Sequence, residues 1–272
     1  MKPSAFDYAV PKDVETAKSA VRESDGTTKF VAGNQSLGPM LNLRLVRASG
    51  LVDISRLAGL RRIAENERAT FIGAATTHAE IEDGEVTDPT GGWMKHAASN
   101  IAYRAVRNRG TIGGSICHAD PAADWVIVMI ALGADAIIDG PNGQRIMPLS
   151  DFITGPFSTA LEDGEILLGV EITKPGEGAI WGYWKYMRQV GEFAKASAAV
   201  YNDPVRNIMR CTIGALDQKP LTLSNPKPIF NGDTTPEDAL RSAFPEKEPA
   251  QLTLHSTALK RALQIAHGKI SE

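Results

Sequence analysis

The chain has 272 residues, 43% of them hydrophobic, enough to bury substantial cores in one to three compact units. Basic and acidic residues nearly cancel, 29 against 32 for a formal charge of −3, and no Lys/Arg stripe interleaved with aromatics is present, which excludes a nucleic-acid footprint. Only two cysteines, Cys117 and Cys211, are present and neither belongs to a CxxC or CxxH pattern, so this chain alone can build neither a zinc site nor an iron–sulfur cluster.

Any redox cofactor held here is therefore expected to be organic, with both cysteines serving as small buried hydrophobes. The opening Met1-Lys2-Pro3-Ser4 runs into a polar segment without an apolar h-region. No stretch approaches the roughly 18 apolar residues of a membrane span, and the expectation is a cytoplasmic protein.

In chain order, Pro11 and Asp13 open an amphipathic pattern through Val14, Ala17, Ala20 and Val21 that predicts a helix ending at Asp25-Gly26. Lys29-Phe30-Val31-Ala32 reads as a strand stopped by Gly33-Asn34-Gln35-Ser36, where Gly and Asn tolerate left-handed backbone angles. A short helix through Leu41, Leu43 and Leu45 follows, then strands at Leu51 to Ile54 and Thr70 to Gly73. Helical patterns come next at Trp93 to Ser99 and Ile101 to Arg107, a glycine loop at Gly110 to Ser115, and an apolar helix from Ala122 to Leu132. Strands at Ala136 to Ile138 and Gln144 to Ile146 flank a turn-rich Asp139-Gly140-Pro141-Asn142-Gly143, predicting a hairpin, and Ile166 to Ile172 is a further apolar run. Beyond a linker at 174–178, strands are expected at Trp181 to Met187, Ala194 to Tyr201 and Ile208 to Ala215. An extended crossing is expected through the Pro-rich 220–236, and a final helix from Ser256 to His267 meets Gly268.

Two glycine loops stand out, although neither carries the GxGxxG of a dinucleotide fold or the GxxxxGK[ST] of a P-loop. The first, Ala32 to Pro39, leaves a strand for a helix and presents successive backbone N–H groups with a hydroxyl at Ser36, which suits a pyrophosphate without a lysine. Backbone geometry alone also explains such turns. In the second, Gly110 to Trp125, Thr111 and Ser115 add hydroxyls and Asp124 supplies an acceptor for a sugar hydroxyl or a ring N–H. Asp124 is equally readable as a first-turn helix carboxylate, and His118 as a packed loop residue. No Ser-His-Asp arrangement, HExxH or paired carboxylates in a motif context support hydrolysis.

Together the segments AGNQSLGPMLNLRL and TIGGSICHADPAAD resemble the two FAD-binding segments of the medium subunits of carbon monoxide dehydrogenase and of the flavin subunits or domains of xanthine dehydrogenases and related molybdenum hydroxylases. The resemblance extends over Ala74-Ala75-Thr76-Thr77-His78, over Asn100 to Gly110, and over Trp184 to Arg188 with Gly191-Glu192-Phe193-Ala194. It implies an α+β chain: a two-subdomain FAD-binding fold of the PCMH type, with subdomains 1–56 and 57–176, followed by an α+β C-terminal domain, 177–272. It implies FAD as the cofactor of this chain, its pyrophosphate wrapped by Ala32, Gly33, Asn34, Gln35, Ser36 and Leu37. Thr111, Gly114, Ser115, His118 and Asp124 are implied to support pyrophosphate and flavin, Thr77 and His78 belong to the matched site segments, Ile101 and Leu168 line the isoalloxazine ring, and Lys185 stabilises the anionic reduced flavin near its N1/C2 carbonyl.

The implied partners are a large subunit with the molybdenum cofactor and a small subunit with [2Fe–2S] clusters, assembled as a dimer of heterotrimers. Electrons would pass from the clusters through FAD to an external acceptor. A stand-alone FAD-dependent oxidoreductase and a flavin-free scaffold subunit are the competing readings. Carbon monoxide, a purine, an aldehyde and an N-heteroaromatic all stay open as substrates of the complex.

Overall fold

The computed structural model describes residues 2–24 and 26–269. It opens with strand β1 (Asp7–Ala9), helix α1 (Val14–Arg22), β2 (Lys29–Val31), α2 (Leu37–Asn42) and β3 (Gly50–Asp53), whose strands form a parallel sheet in the order β1-β3-β2. The Asp13 carboxylate caps α1 by accepting from the Thr16 N–H at 2.7 Å. The helix buries Ala17 against Val52, Ile54, Leu57 and Leu60. It ends at Arg22, short of the expected stop, whose Asp25 lies outside the described residues.

β4 (Ile63–Glu65), β5 (Ala69–Gly73), α3 (His78–Asp83), α4 (Trp93–Ser99), α5 (Arg104–Arg107), α6 (Ile112–His118) and α7 (Asp124–Leu132) follow. Then come β6 (Asp135–Gly140), β7 (Gly143–Pro148), α8 (Leu149–Phe152), β8 (Ile153–Gly155), β9 (Ser158–Thr159) and β10 (Ile166–Thr173). An antiparallel sheet of order β4-β5-β10-β6-β7 holds this part together. The predicted hairpin is a tight one, with Gly140 paired to Gly143 and only Pro141-Asn142 at the turn. Every residue of α7 is buried, as an apolar helix without a polar face requires.

β11 (Ile180–Tyr186), β12 (Ala196–Asp203), β13 (Ile208–Gly214) and β14 (Leu221–Thr222) make a second antiparallel sheet. Helices α9 (Lys227–Asn231), α10 (Pro236–Ala243) and α11 (Pro249–Ala266) complete the fold. α11 lies hard on β11: a Cβ at Gly182 would fall 1.9 Å from the Ala262 carbonyl oxygen. Both cysteines are free thiols, Cys211 buried and Cys117 half-buried, and desolvation pushes both up to about 12. No helix among the described residues is long and apolar enough to cross a membrane.

Three local expectations are corrected. The glycine loop at Gly110 to Ser115 is largely the start of α6, because Thr111 caps it by accepting from the Gly114 N–H at 3.0 Å and Ile112 and Ile116 bury one face. The Pro-rich 220–236 contains α9, whose prolines sit in or beside the first turn, where a missing N–H removes no helical bond. The last helix begins at Pro249 rather than Ser256 for the same reason.

Candidate cofactor-binding site

A cavity of about 880 Å³ opens among the first loop, α6, the start of α7, and strands β10 and β11. This is within the range of cofactor sites, roughly 300–1,000 Å³. Ala32, Gly33, Asn34, Gln35, Ser36, Leu37, His78, Ile101, Thr111, Gly114, Ser115, His118, Asp124 and Lys185 all line it. Thr77 instead lines an adjoining cleft of about 340 Å³ with Thr111 and Arg109. Leu168, half-buried, packs against the cluster of Ile54, Ala75 and Ile166, three residues that line the cavity. It is the extra residue of a bulge, since Leu167 pairs with Ile138 and Gly169 with Ile137.

The first loop turns at Asn34, which adopts a left-handed φ of 61°, a conformation Asn tolerates and most L-residues do not. Gln35 Nε2 donates to the Gly33 carbonyl at 2.8 Å and steadies the turn. Ser36 stands at the N-cap of α2 without a capping bond from its hydroxyl, so that side chain leaves the Leu37 and Gly38 N–H groups uncapped. Loop and helix together offer backbone N–H donors at the cavity, which fits a pyrophosphate.

The second loop is built around packed glycines. A Cβ on Gly113 would lie 2.4 Å from that of Ala74, so α6 sits directly on the end of β5. Thr77 forms a capping box with Glu80 at the start of α3 and thereby sets His78 in the interior. His78 Nδ1 accepts from the Trp125 indole N–H at 2.9 Å. Burial first, and the Arg107 charge second, push His78 down to about 3, so its ring is neutral and Nδ1 is the unprotonated nitrogen. Arg107 pairs with Glu82 at 2.7 Å and donates to the Ile101 and Ala102 carbonyls at 3.0 and 3.2 Å, fixing the turn that brings Ile101 to the cavity. The His118 ring stands 5.2 Å from that of Phe157, another cavity-lining residue.

Asp124 and Lys185, distant in sequence, are an ion pair at 2.7 Å with side chains 8% and 5% exposed. The ammonium also donates to the Asn100 carbonyl at 2.9 Å. The Tyr183 hydroxyl donates to the same Asp124 oxygen at 2.6 Å. Burial, and then Asp124 itself, raise the Tyr183 phenol well above its ordinary range, so it remains a donor. Sequence reading named Asp124 and Lys185 but missed Tyr183 and the Asn100 carbonyl. The available signal for Tyr183 was its position two residues before Lys185 on a strand, which puts both side chains on one face.

Residues 4–175 match the family described as the FAD binding domain in molybdopterin dehydrogenase. The chain is 36% identical to the 6-hydroxypseudooxynicotine dehydrogenase complex subunit alpha of Paenarthrobacter nicotinovorans, over 73% of this chain and 67% of that one. It is also 36% identical to the carbon monoxide dehydrogenase medium chain of Hydrogenophaga pseudoflava, over 74% and 70% of the two chains. In three dimensions it is similar to a chain of the carbon monoxide dehydrogenase of Hydrogenophaga pseudoflava that lacks the Mo-pyranopterin moiety of its cofactor. That similarity has a TM-score of 0.89 at 29% identity and covers 100% of both chains. With matched loops, a cavity of cofactor size and these relatives, the chain belongs to the FAD-binding family of the molybdopterin dehydrogenases.

Proposed function

We propose that this chain is the FAD-carrying, electron-transferring subunit of a molybdenum hydroxylase. The observation that carries the reading is the cavity itself: an uncapped N–H cradle and the buried Lys185–Asp124 pair line one space of cofactor size, in a chain of an FAD-binding family. When bound, FAD supplies reversible two-electron chemistry. The chain supplies binding, orientation and field. Ala32 to Leu37, with Thr111, Gly114 and Ser115, hold the pyrophosphate. Ile101 and Leu168 flank the isoalloxazine ring, His118 supports the cofactor from the second loop, and Thr77 and His78 keep the surrounding turns in place. Lys185 and Asp124 set the charge at the flavin.

In this reading electrons arrive from [2Fe–2S] clusters of a small partner, fed by the molybdenum cofactor of a large partner, and leave to an external acceptor. The relatives' names, a medium chain and a subunit of a dehydrogenase complex, support assembly with other subunits. A chain with two cysteines supports placing the clusters elsewhere. A dimer of heterotrimers, a cytoplasmic location and the division into 1–56, 57–176 and 177–272 are further parts of the proposal; the last is supported by three larger sheets that each draw their strands from one of these ranges.

The test is a visible spectrum of the native complex, followed by acid release of the cofactor and a metal count. FAD with iron and molybdenum and two co-purifying chains is the expected result. A colourless complex would overturn the reading, and FAD in an active, isolated single chain would replace it with a stand-alone oxidoreductase.

A further inference from the structure

Tyr183 is 2% exposed, does not line the cavity, and still spends its only hydroxyl proton on a cavity residue. Its bond to Asp124 is 2.6 Å, and the same carboxylate oxygen takes the Lys185 ammonium at 2.7 Å. Tyr183 and Lys185 lie two apart on β11, so one strand face delivers both donors to the first residue of α7. Lys185 has a second anchor in the Asn100 carbonyl at 2.9 Å, whereas Asp124 takes both Tyr183 and Lys185 on one carboxylate oxygen. The Asp124 carboxylate is thus pinned by its two β11 partners, and only one of them carries charge.

Buried charges are held where hydrogen bonds hold them, and a desolvated pair projects a field set by how far each charge is compensated. The hydroxyl dipole takes up part of the Asp124 charge, and the remainder is what offsets Lys185. We infer that Tyr183 is a positioning residue for the flavin's electrostatics: by pinning and partly neutralising Asp124, it leaves Lys185 with a net positive field toward the cavity. The inference rests on the reading that FAD fills that cavity. Without the hydroxyl, the carboxylate compensates Lys185 more fully, less positive field reaches the flavin, and the anionic reduced form loses stabilisation.

The experiment is Tyr183→Phe in the assembled complex, which keeps the ring and removes the hydroxyl. It is made alone and in an Asp124→Asn background, with flavin content and reduction potential measured on each. We expect full flavin content and a potential shifted to more negative values in Tyr183→Phe. Asp124→Asn alone should shift it to more positive values, and adding Tyr183→Phe there should move it far less than in the native background. A merely structural role for Tyr183 would give no shift, or the same shift in both backgrounds, and either result would overturn the inference. Flavin bound with an unmoved potential sinks this inference alone, whereas a native complex without flavin sinks the cofactor reading and the inference with it.

Discussion

Gly33 and Arg109 meet backbone to backbone: a Cβ on Gly33 would lie 2.1 Å from the Arg109 carbonyl oxygen. The two glycine loops are therefore one construction, and the shape of the first depends on the approach of the second. Gly33→Ala must push them apart, because the obstructing atom is main chain and has no rotamer to escape into. We expect a stability loss of about 1–3 kcal/mol, typical of overpacking, and sharply reduced flavin content. Thermal unfolding and cofactor stoichiometry of the purified complex check this, and native flavin content in the variant would separate the loop contact from cofactor binding.

Gly114 is constrained differently. A Cβ there would meet the Thr111 hydroxyl at 2.8 Å, the group that caps α6. Gly114→Val is expected to abolish flavin retention and also to loosen the cap, with a loss of about 1 kcal/mol. Thr111→Ala removes the cap without adding bulk and so measures the cap's share. Full FAD occupancy in Gly114→Val would remove this loop from the pyrophosphate cradle.

For Lys185→Met, flavin is expected to stay bound with its reduction potential lowered, since a cation beside an anionic reduced flavin is lost. The structure adds a second consequence. Asp124 would be left as a buried carboxylate without its cationic partner, still accepting from Tyr183, at a cost of about 3–5 kcal/mol. Lys185→Met combined with Asp124→Asn should recover much of that stability in thermal unfolding. Failure to recover it would mean the ion pair is not the source of the loss.

His78 makes a prediction about pH. Its folded value of about 3 lies below the ordinary 6.5. Above 6.5 both states are neutral there and the full stability is present. As pH falls from 6.5 toward about 3, the unfolded chain takes a proton that the folded chain refuses, and stability is progressively lost. His78→Phe leaves the Trp125 indole N–H without an acceptor and should cost about 1–3 kcal/mol at neutral pH. Its unfolding temperature should then fall less steeply than the native protein's over the same acid range. Parallel profiles would show that His78 does not couple protonation to folding.

Features written in a few neighbouring residues were legible without coordinates. The Asp13 cap, the Gly140–Gly143 turn and the apolar α7 follow from local hydrogen bonding, turn geometry and periodicity. The two loops were recognisable as motifs. The helical character of Ile112–His118 was harder to read, because glycine disfavours a helix and the compensating contacts, Gly113 on Ala74 and Ile112 and Ile116 in the core, come from other elements. The capping box Thr77-x-x-Glu80 is a local signal for the start of α3.

The α+β character of the chain, its two glycine segments and the residue types available for an organic cofactor are already written in the order of amino acids, because these depend on composition, spacing and nearest neighbours. The bulge at Leu168 and the meeting of Tyr183 and Lys185 at one oxygen of Asp124 emerge only in three dimensions. Those arrangements arise where β10 pairs with β6 and where β11 comes against the start of α7, and register and packing between distant segments leave no periodic trace in either one.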